Sequence, residues 1–146
     1  MVETKGFFIR CLERFFKGNP DYLMTMYVSH SADFDFQNEL YLPLRNSNLN
    51  NQYKIILPQE QNNTLFKSRE YFQDQCDFMV VESSYPSPGV GIEVGWADAY
   101  EVPIIAIYKR GFGLPESIKV LSKKIIEYSN SDELVSDLEI VLKKML

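Results

Sequence analysis

From Leu23 onward, short apolar runs alternate with stretches in which apolar residues recur at helical spacing. This is the pattern of buried strands separated by covering helices. The runs predict strands over 24–29, 53–57, 78–81, 104–108 and 124–128. The periodic stretches predict helices over 36–44, 64–75, 90–100, 115–121 and 132–146. Strands joined by segments of this length are parallel, because antiparallel neighbours need only a tight turn whereas parallel ones need a crossover.

Such crossovers are right-handed and cover both faces of a sheet. The expected fold is therefore α/β: a flavodoxin-like (Rossmann-like) parallel sheet of five strands in the order 2-1-3-4-5, with helices on both faces. Ahead of it, residues 6–17 set Phe8, Cys11, Leu12, Phe15 and Phe16 at helical spacing before Gly18-Asn19-Pro20 stops the pattern. That predicts an amphipathic N-terminal helix that packs on the core or docks on another subunit. The chain thus divides into a helical appendage over 1–22 and an α/β domain over 23–146. The polar stretch from Gln59 to Asn63 reads as a loop.

With 146 residues, 45% hydrophobic and 14% aromatic, the chain suits one domain with one well-filled sheet core. A net charge of -5 argues against a nucleic-acid polymer or an anionic membrane as partner, while leaving room for a local anion site. Two cysteines, Cys11 and Cys76, without ligand spacing, and a single histidine, His30, give no basis for a metal cluster. No metal and no cofactor are expected. No apolar run reaches the roughly 18 residues of a membrane span and no signal-peptide core precedes the first helix, so the expectation is a soluble, reduced, cytoplasmic protein.

In the order 2-1-3-4-5 the ligand crevice lies beyond the carboxyl ends of strands one and three, where the order reverses. Two polar loops meet there: Ser29-His30-Ser31-Ala32-Asp33 and Glu82-Ser83-Ser84-Tyr85-Pro86-Ser87-Pro88-Gly89. Gly89, Gly91 and Gly95 are spaced G-x-G-x-x-x-G, one residue off the dinucleotide fingerprint, and they do not follow the first strand. A nicotinamide site is disfavoured, and what is left is a helix N-terminus that small residues open to a phosphate or sugar oxygen. Glu93 is placed in the first turn of that helix, where the dipole favours its ionised form and a nucleophilic role becomes available. It can equally be an acidic residue that only stabilises the helix end. Ser87 can be a helix cap, His30 a packed loop histidine, Tyr27 a core residue, and Trp96 and Tyr100 packing residues.

The stretch VVESSYPSPGVGIEVGWA resembles the nucleoside 2-deoxyribosyltransferase family, and most closely its branch of 2′-deoxynucleoside 5′-phosphate N-hydrolases. The likeness covers about 27–117 and is strongest over 77–108, where a valine-rich strand ends in glutamate and runs into P-S-x-G-V-G-x-E-x-G. The aromatic opening strand Tyr27-Val28-Ser29-His30-Ser31 and the Leu-Pro end of the second strand agree with the same layout. The resemblance implies cleavage of an N-glycosidic bond, with Glu93 attacking the anomeric carbon, the base leaving, and the glycosyl-enzyme passing to water or to another base. It implies a serine at Ser87 suited to a 5′-phosphate, phosphate contacts from Ser31 and Ser117, and a homo-oligomer in which Ser117 completes a neighbour's site. Tyr27, Ser29, His30, Gly89 and Gly91 complete the expected binding set.

Two positions depart from the family pattern. Where its helix before the third strand carries a sugar-binding aspartate, the ungapped register places Arg69, with Glu70 beside it. Where the hydrolases carry a phosphate-binding arginine after the first strand, Asp33 stands, leaving Lys109 or Arg110 as other cations for that task. Two further readings stay open: a TIR-like NAD glycohydrolase, which shares the layout, the opening strand and a helical glutamate, and a nucleotide-sensing module that binds without turnover. The G-V-G-I-E-V-G spacing favours the deoxyribosyltransferase-like reading.

Overall fold

A computed structural model describes residues 22–60 and 67–145. The helix expected over 6–17, with Cys11, and part of the 59–63 loop lie outside the described residues. The strands are β1 (Thr25–Ser29), β2 (Lys54–Ile56), β3 (Phe78–Glu82), β4 (Ile104–Lys109) and β5 (Lys124–Tyr128). They form one five-stranded sheet in the order β2-β1-β3-β4-β5, and every neighbouring pair is parallel. The helices are α1 (Leu42–Arg45), α2 (Leu49–Gln52), α3 (Ser68–Asp74), α4 (Pro88–Ala99), α5 (Glu116–Leu121) and α6 (Ser131–Met145).

Side-chain alternation along the buried strands sorts the core into two layers. Met26, Val28, Phe78, Val80, Ile105 and Ile107 face a layer built with Leu40, Leu44 and Leu49 from the first helical segments and Leu134, Leu138 and Leu142 from α6. Tyr27, Met79, Val81, Ile104 and Ala106 face the other layer, with Phe72 of α3, Val94 and Ala97 of α4 and Ile118 of α5. The i, i+4, i+8 leucines of α6 form one stripe, so a single helix face covers the sheet. Trp96 and Tyr100 pack against the second layer, as expected of them.

The first predicted helix, over 36–44, is a π-helical turn, Gln37–Tyr41, that runs into α1. Pro43 supplies the physical cause, since it has no N–H to return to the carbonyl of Glu39. That carbonyl instead accepts the Ser131 hydroxyl at 2.8 Å, which ties the turn to the start of α6. The short helix α2 was not legible in the pattern, because its four residues give no period to read. α4 begins at Pro88, two residues earlier than predicted, since Ser87 caps it by accepting from the Val90 N–H and proline fits the first helical position.

At the amino edge of the sheet, Asp77 is buried and accepts from Tyr22 Oη, the Thr25 N–H and Thr25 Oγ1. These bonds join the entrance of β1 to that of β3, the two strands whose far ends frame the crevice.

Candidate active site at the strand switch point

The β2-β1-β3 order puts the reversal between β1 and β3, so the loops that follow these strands flank one crevice, as the topology requires. Ser29 ends β1 and stands in register with Val81 on β3. From α4, Glu93 reaches this point, and Ser29 Oγ donates to its Oε1 at 3.5 Å. Tyr27, one alternation earlier on the same strand face, is 1% exposed, and its hydroxyl lies 2.8 Å from Ser68 Oγ at the start of α3. The structure therefore brings Tyr27, Ser29 and Glu93 together and adds Ser68, which the sequence reading did not single out.

Glu93 is not in the first helical turn. With α4 starting at Pro88, that turn contains no acid, and Glu93 lies in the second turn, half-buried against the sheet. Its ionised form is not favoured by its surroundings, contrary to the expectation from the helix dipole. Burial pushes the Glu93 carboxyl above the ordinary carboxylate range, and the hydroxyls of Tyr27, Ser68 and Ser29 only moderate that rise. Its Oε2 atom is buried without a hydrogen-bond partner among the described residues. The Tyr27 phenol is pushed well above its usual range, first by burial and then by the Glu93 charge. A phenol held so firmly protonated is a donor to its surroundings and not a base.

The remaining predicted residues separate into two groups. Ser87 caps α4 through the Val90 N–H at 3.4 Å. An alanine-sized side chain at Gly89 would meet only Ser87 Oγ, at 3.7 Å, and one at Gly91 would meet nothing within 4 Å. The space beside the start of α4 is thus open. Ser117 is exposed on α5. Ser31 is buried, and its hydroxyl accepts the Asp33 N–H at 3.1 Å.

His30 has both ring nitrogens engaged by the protein. Nδ1 donates to the Ser31 carbonyl at 2.8 Å, and Nε2 accepts from the Tyr41 hydroxyl at 2.5 Å, which itself accepts the Gln59 N–H. Burial lowers its pKa, against the Ser31 carbonyl, so the neutral tautomer that this chain requires is the stable one. His30 shapes the loop after β1 and ties it to the loop after β2.

The cations named as phosphate partners are engaged elsewhere. Lys109 Nζ is 3.0 Å from Glu39 Oε1 and 3.0 Å from the Tyr85 hydroxyl, with the rings of Phe34, Tyr85 and Phe112 around it. Burial alone would lower its pKa, but Tyr85 and Glu39 outweigh it and hold the ammonium charged. Arg110 pairs with Glu127 at 3.1 Å. Arg69 points to the Tyr100 hydroxyl at 3.4 Å, and Asp33 is exposed. Glu82, placed by the sequence reading in the crevice loop, is the last residue of β3 and fully buried. It accepts from Tyr128 Oη and, at 2.5 Å, from the Ser84 N–H, so it anchors the loop leading to α4.

No family model matches the chain. A curated protein of Syntrophotalea carbinolica, provisionally named 2′-deoxynucleoside 5′-phosphate N-hydrolase 1, is 40% identical over 72 residues. This match bears out the resemblance to the nucleotide N-hydrolases. It takes in 49% of this chain and 50% of that protein, so the chain spans about half the length of the curated relative it matches. A CMP N-glycosidase of Clostridium botulinum shares the fold with a TM-score of 0.55 at 19% identity, covering 79% of this chain and 98% of that one. A conserved protein from Enterococcus faecalis does so with a TM-score of 0.59 at 17% identity, covering 82% and 99%. Among the described residues, no helix is long and apolar enough to cross a membrane, and no group of three or more His, Cys, Asp or Glu is placed to hold a metal ion.

Proposed function

We propose that this protein is a cytoplasmic enzyme that cleaves the N-glycosidic bond of a nucleoside or nucleoside 5′-monophosphate, with Glu93 as nucleophile. The observation that carries the reading is the Glu93 carboxyl at the β1–β3 switch point, with hydroxyls on one side and one buried oxygen unpartnered. The names of the matched N-hydrolase and of the N-glycosidase that shares the fold support it. The carboxyl stands where the loops after β1 and β3 meet, the place at which this topology offers a ligand to a side chain.

In the first step a carboxylate oxygen bonds to the anomeric carbon as the bond to the base nitrogen breaks, and the base leaves with that electron pair and takes up a proton. In the second step water attacks the same carbon and gives up a proton, which offsets the one taken by the base, as the glycosyl ester breaks and Glu93 recovers its carboxylate. Transfer differs only in that a second base replaces water. Ser87 and the open start of α4 form the phosphate end of the site. A second copy of the chain contributes Ser117, whose exposure on α5 is compatible with that role.

Two experiments test the finer parts. Asp33 is exposed, so a swap of its charge acts on a nearby phosphate mostly through water, at about 1 kcal/mol per unit charge. Asp33→Arg should raise kcat/KM for 5′-monophosphates by roughly tenfold or more and leave nucleosides nearly unchanged. An equal gain for both substrate classes would show that Asp33 does not face the phosphate. Mixed oligomers of Ser117→Trp with Glu93→Ala should recover activity that neither variant has alone. No recovery, once subunit exchange is shown, removes the shared site.

The sensing reading draws on Arg69 and Asp33, which stand where the family has its sugar-binding acid and its phosphate-binding base. Ligand-induced stabilisation without base release would favour it.

A further inference from the structure

The loops after β1, β3 and β4 meet at the crevice end of the sheet, and one ammonium reaches all of them. Lys109, the last residue of β4, sends Nζ to Glu39 Oε1 in the π turn beyond β1 and to the Tyr85 hydroxyl in the loop after β3, each at 3.0 Å. Its backbone is held as well: the Lys109 N–H donates to Ser84 Oγ at 2.8 Å, and its carbonyl accepts the Phe112 N–H at 3.0 Å. Resting on the reading of the crevice as the substrate site, we propose that Lys109 is a positioning residue, a staple that sets the approach of the loops after β1 and β3, and with it the place of Ser87 and the start of α4, without touching substrate itself.

The chemistry of the group suits that task. An ammonium has three N–H donors and no acceptor, so the Tyr85 oxygen accepts from it. Phe34 from the loop after β1 and Tyr85 from the loop after β3 stack at 4.9 Å and 8°. Lys109 Nζ lies 5.0 and 5.2 Å from their centroids, within the range of a cation–π contact. Both rings belong to segments outside helices and strands, so their stack depends on what holds it from the side. Phe112 closes the cluster from the third loop, 5.2 Å from Tyr85. It turns back there because Gly111 takes a φ of 90°, a left-handed conformation that glycine adopts without strain. The Lys109 side chain is only 18% exposed, so these contacts act in a partly desolvated place, where a cation over a ring is worth more than on an open surface. Glu39 balances the charge, which suits a tie between loops better than capture of a phosphate. Tyr85 precedes the cap Ser87 by two residues, so a shift of its ring carries to the start of α4.

A staple, a phosphate ligand and a residue that only stabilises the fold differ in what Lys109→Met does. This change keeps the stem without the charge, and Glu39→Gln is a milder variant that removes only the countercharge. Amide hydrogen exchange over 31–36 and 83–87 should quicken in Lys109→Met while β1, β3 and β4 keep their protection. Binding of the four deoxynucleoside 5′-monophosphates and of the matching nucleosides is measured by calorimetry in Glu93→Gln protein, where no turnover is expected. Adding Lys109→Met should raise Kd about tenfold for both classes, and Glu39→Gln should raise it less. A loss confined to monophosphates would make Lys109 a phosphate ligand, and an unchanged Kd beside a lowered melting temperature would make it a stabiliser only. Unchanged exchange in the two loops of folded Lys109→Met overturns the staple. Quickened exchange with weakened binding, in a protein whose wild type releases no base from these ligands, sustains the staple and defeats the glycosidase reading instead. If neither class binds the parent protein, the substrate reading falls and the exchange result alone decides the staple.

Discussion

Glu93→Gln is expected to abolish the proposed base release, by about 10³-fold or more, and at neutral pH to raise the melting temperature of the protein. Glutamine keeps the shape of the side chain but has no anionic oxygen to bond to an anomeric carbon. The stability gain follows from burial. Glu93 has its carboxyl pushed above the ordinary range mainly by desolvation, and its Oε2 is buried without a partner. A group whose folded pKa is raised contributes stability that is present below the unfolded value, near 4.3, and is lost as pH rises through the folded value. At neutral pH the wild type therefore carries a destabilising buried charge that the amide lacks. The amide removes the desolvation cost of that charge, and about 1 kcal/mol moves the melting point of a domain near this size by roughly 2–4 °C. The difference between variant and wild type should close below pH 4. Thermal scans across pH, beside base release, check both halves. A fall in stability at neutral pH would make Glu93 a structural residue.

On the proposed mechanism the same carboxyl sets the pH profile of the reaction. A carboxylate nucleophile must be ionised, so kcat is expected to rise with pH through a midpoint above the ordinary carboxylate range.

Tyr128→Phe destabilises the protein by about 2–3 kcal/mol, the cost of leaving a buried carboxylate one donor short. Tyr128 donates to Glu82, which is fully buried at the end of β3 and whose other oxygen holds the Ser84 N–H. Ser84 Oγ in turn accepts the Lys109 N–H at 2.8 Å. The pair thus fixes the loop between β3 and α4, and with it the entry of the helix that carries Glu93. The expected fall in melting temperature is roughly 5–10 °C, read by calorimetry. The double variant Glu82→Gln/Tyr128→Phe should recover part of it, since an amide left short of a donor is less costly than a charge. Additive losses in that double variant would contradict the coupling.

The parallel order and its switch point were legible because fully buried strands read as continuous apolar runs and their crossovers as periodic segments. β5 begins and ends as predicted, at Lys124 and Tyr128. Proline chemistry was the harder part. Pro43 turned a predicted α-helix into a π turn followed by α1, and Pro88 began α4 early enough to move Glu93 out of the first turn. That two-residue shift reversed the expectation for its charge state, because the side chain points to the sheet and not to the open helix end. Ser68 was invisible for a different reason. A serine preceding Arg69-Glu70 has no periodic or motif signal, and its link to Tyr27 spans 41 residues. His30 was marked as a ligand candidate, but the partners that occupy its ring come from its own loop and from Tyr41. The buried status of Glu82 was hinted at only by the valines before it.

Release of free base decides whether the protein cleaves an N-glycosidic bond. Wild-type protein is incubated with deoxynucleosides, their 5′-monophosphates, ribonucleotides and NAD, and the products are separated by chromatography. Free base and the matching sugar or sugar phosphate are expected from a nucleoside or 5′-monophosphate class, and none from that class with Glu93→Gln. Base release that persists in the Glu93 variant would rule out Glu93 as nucleophile, and silence across the panel from wild-type protein that binds these ligands would leave a sensor and not an enzyme.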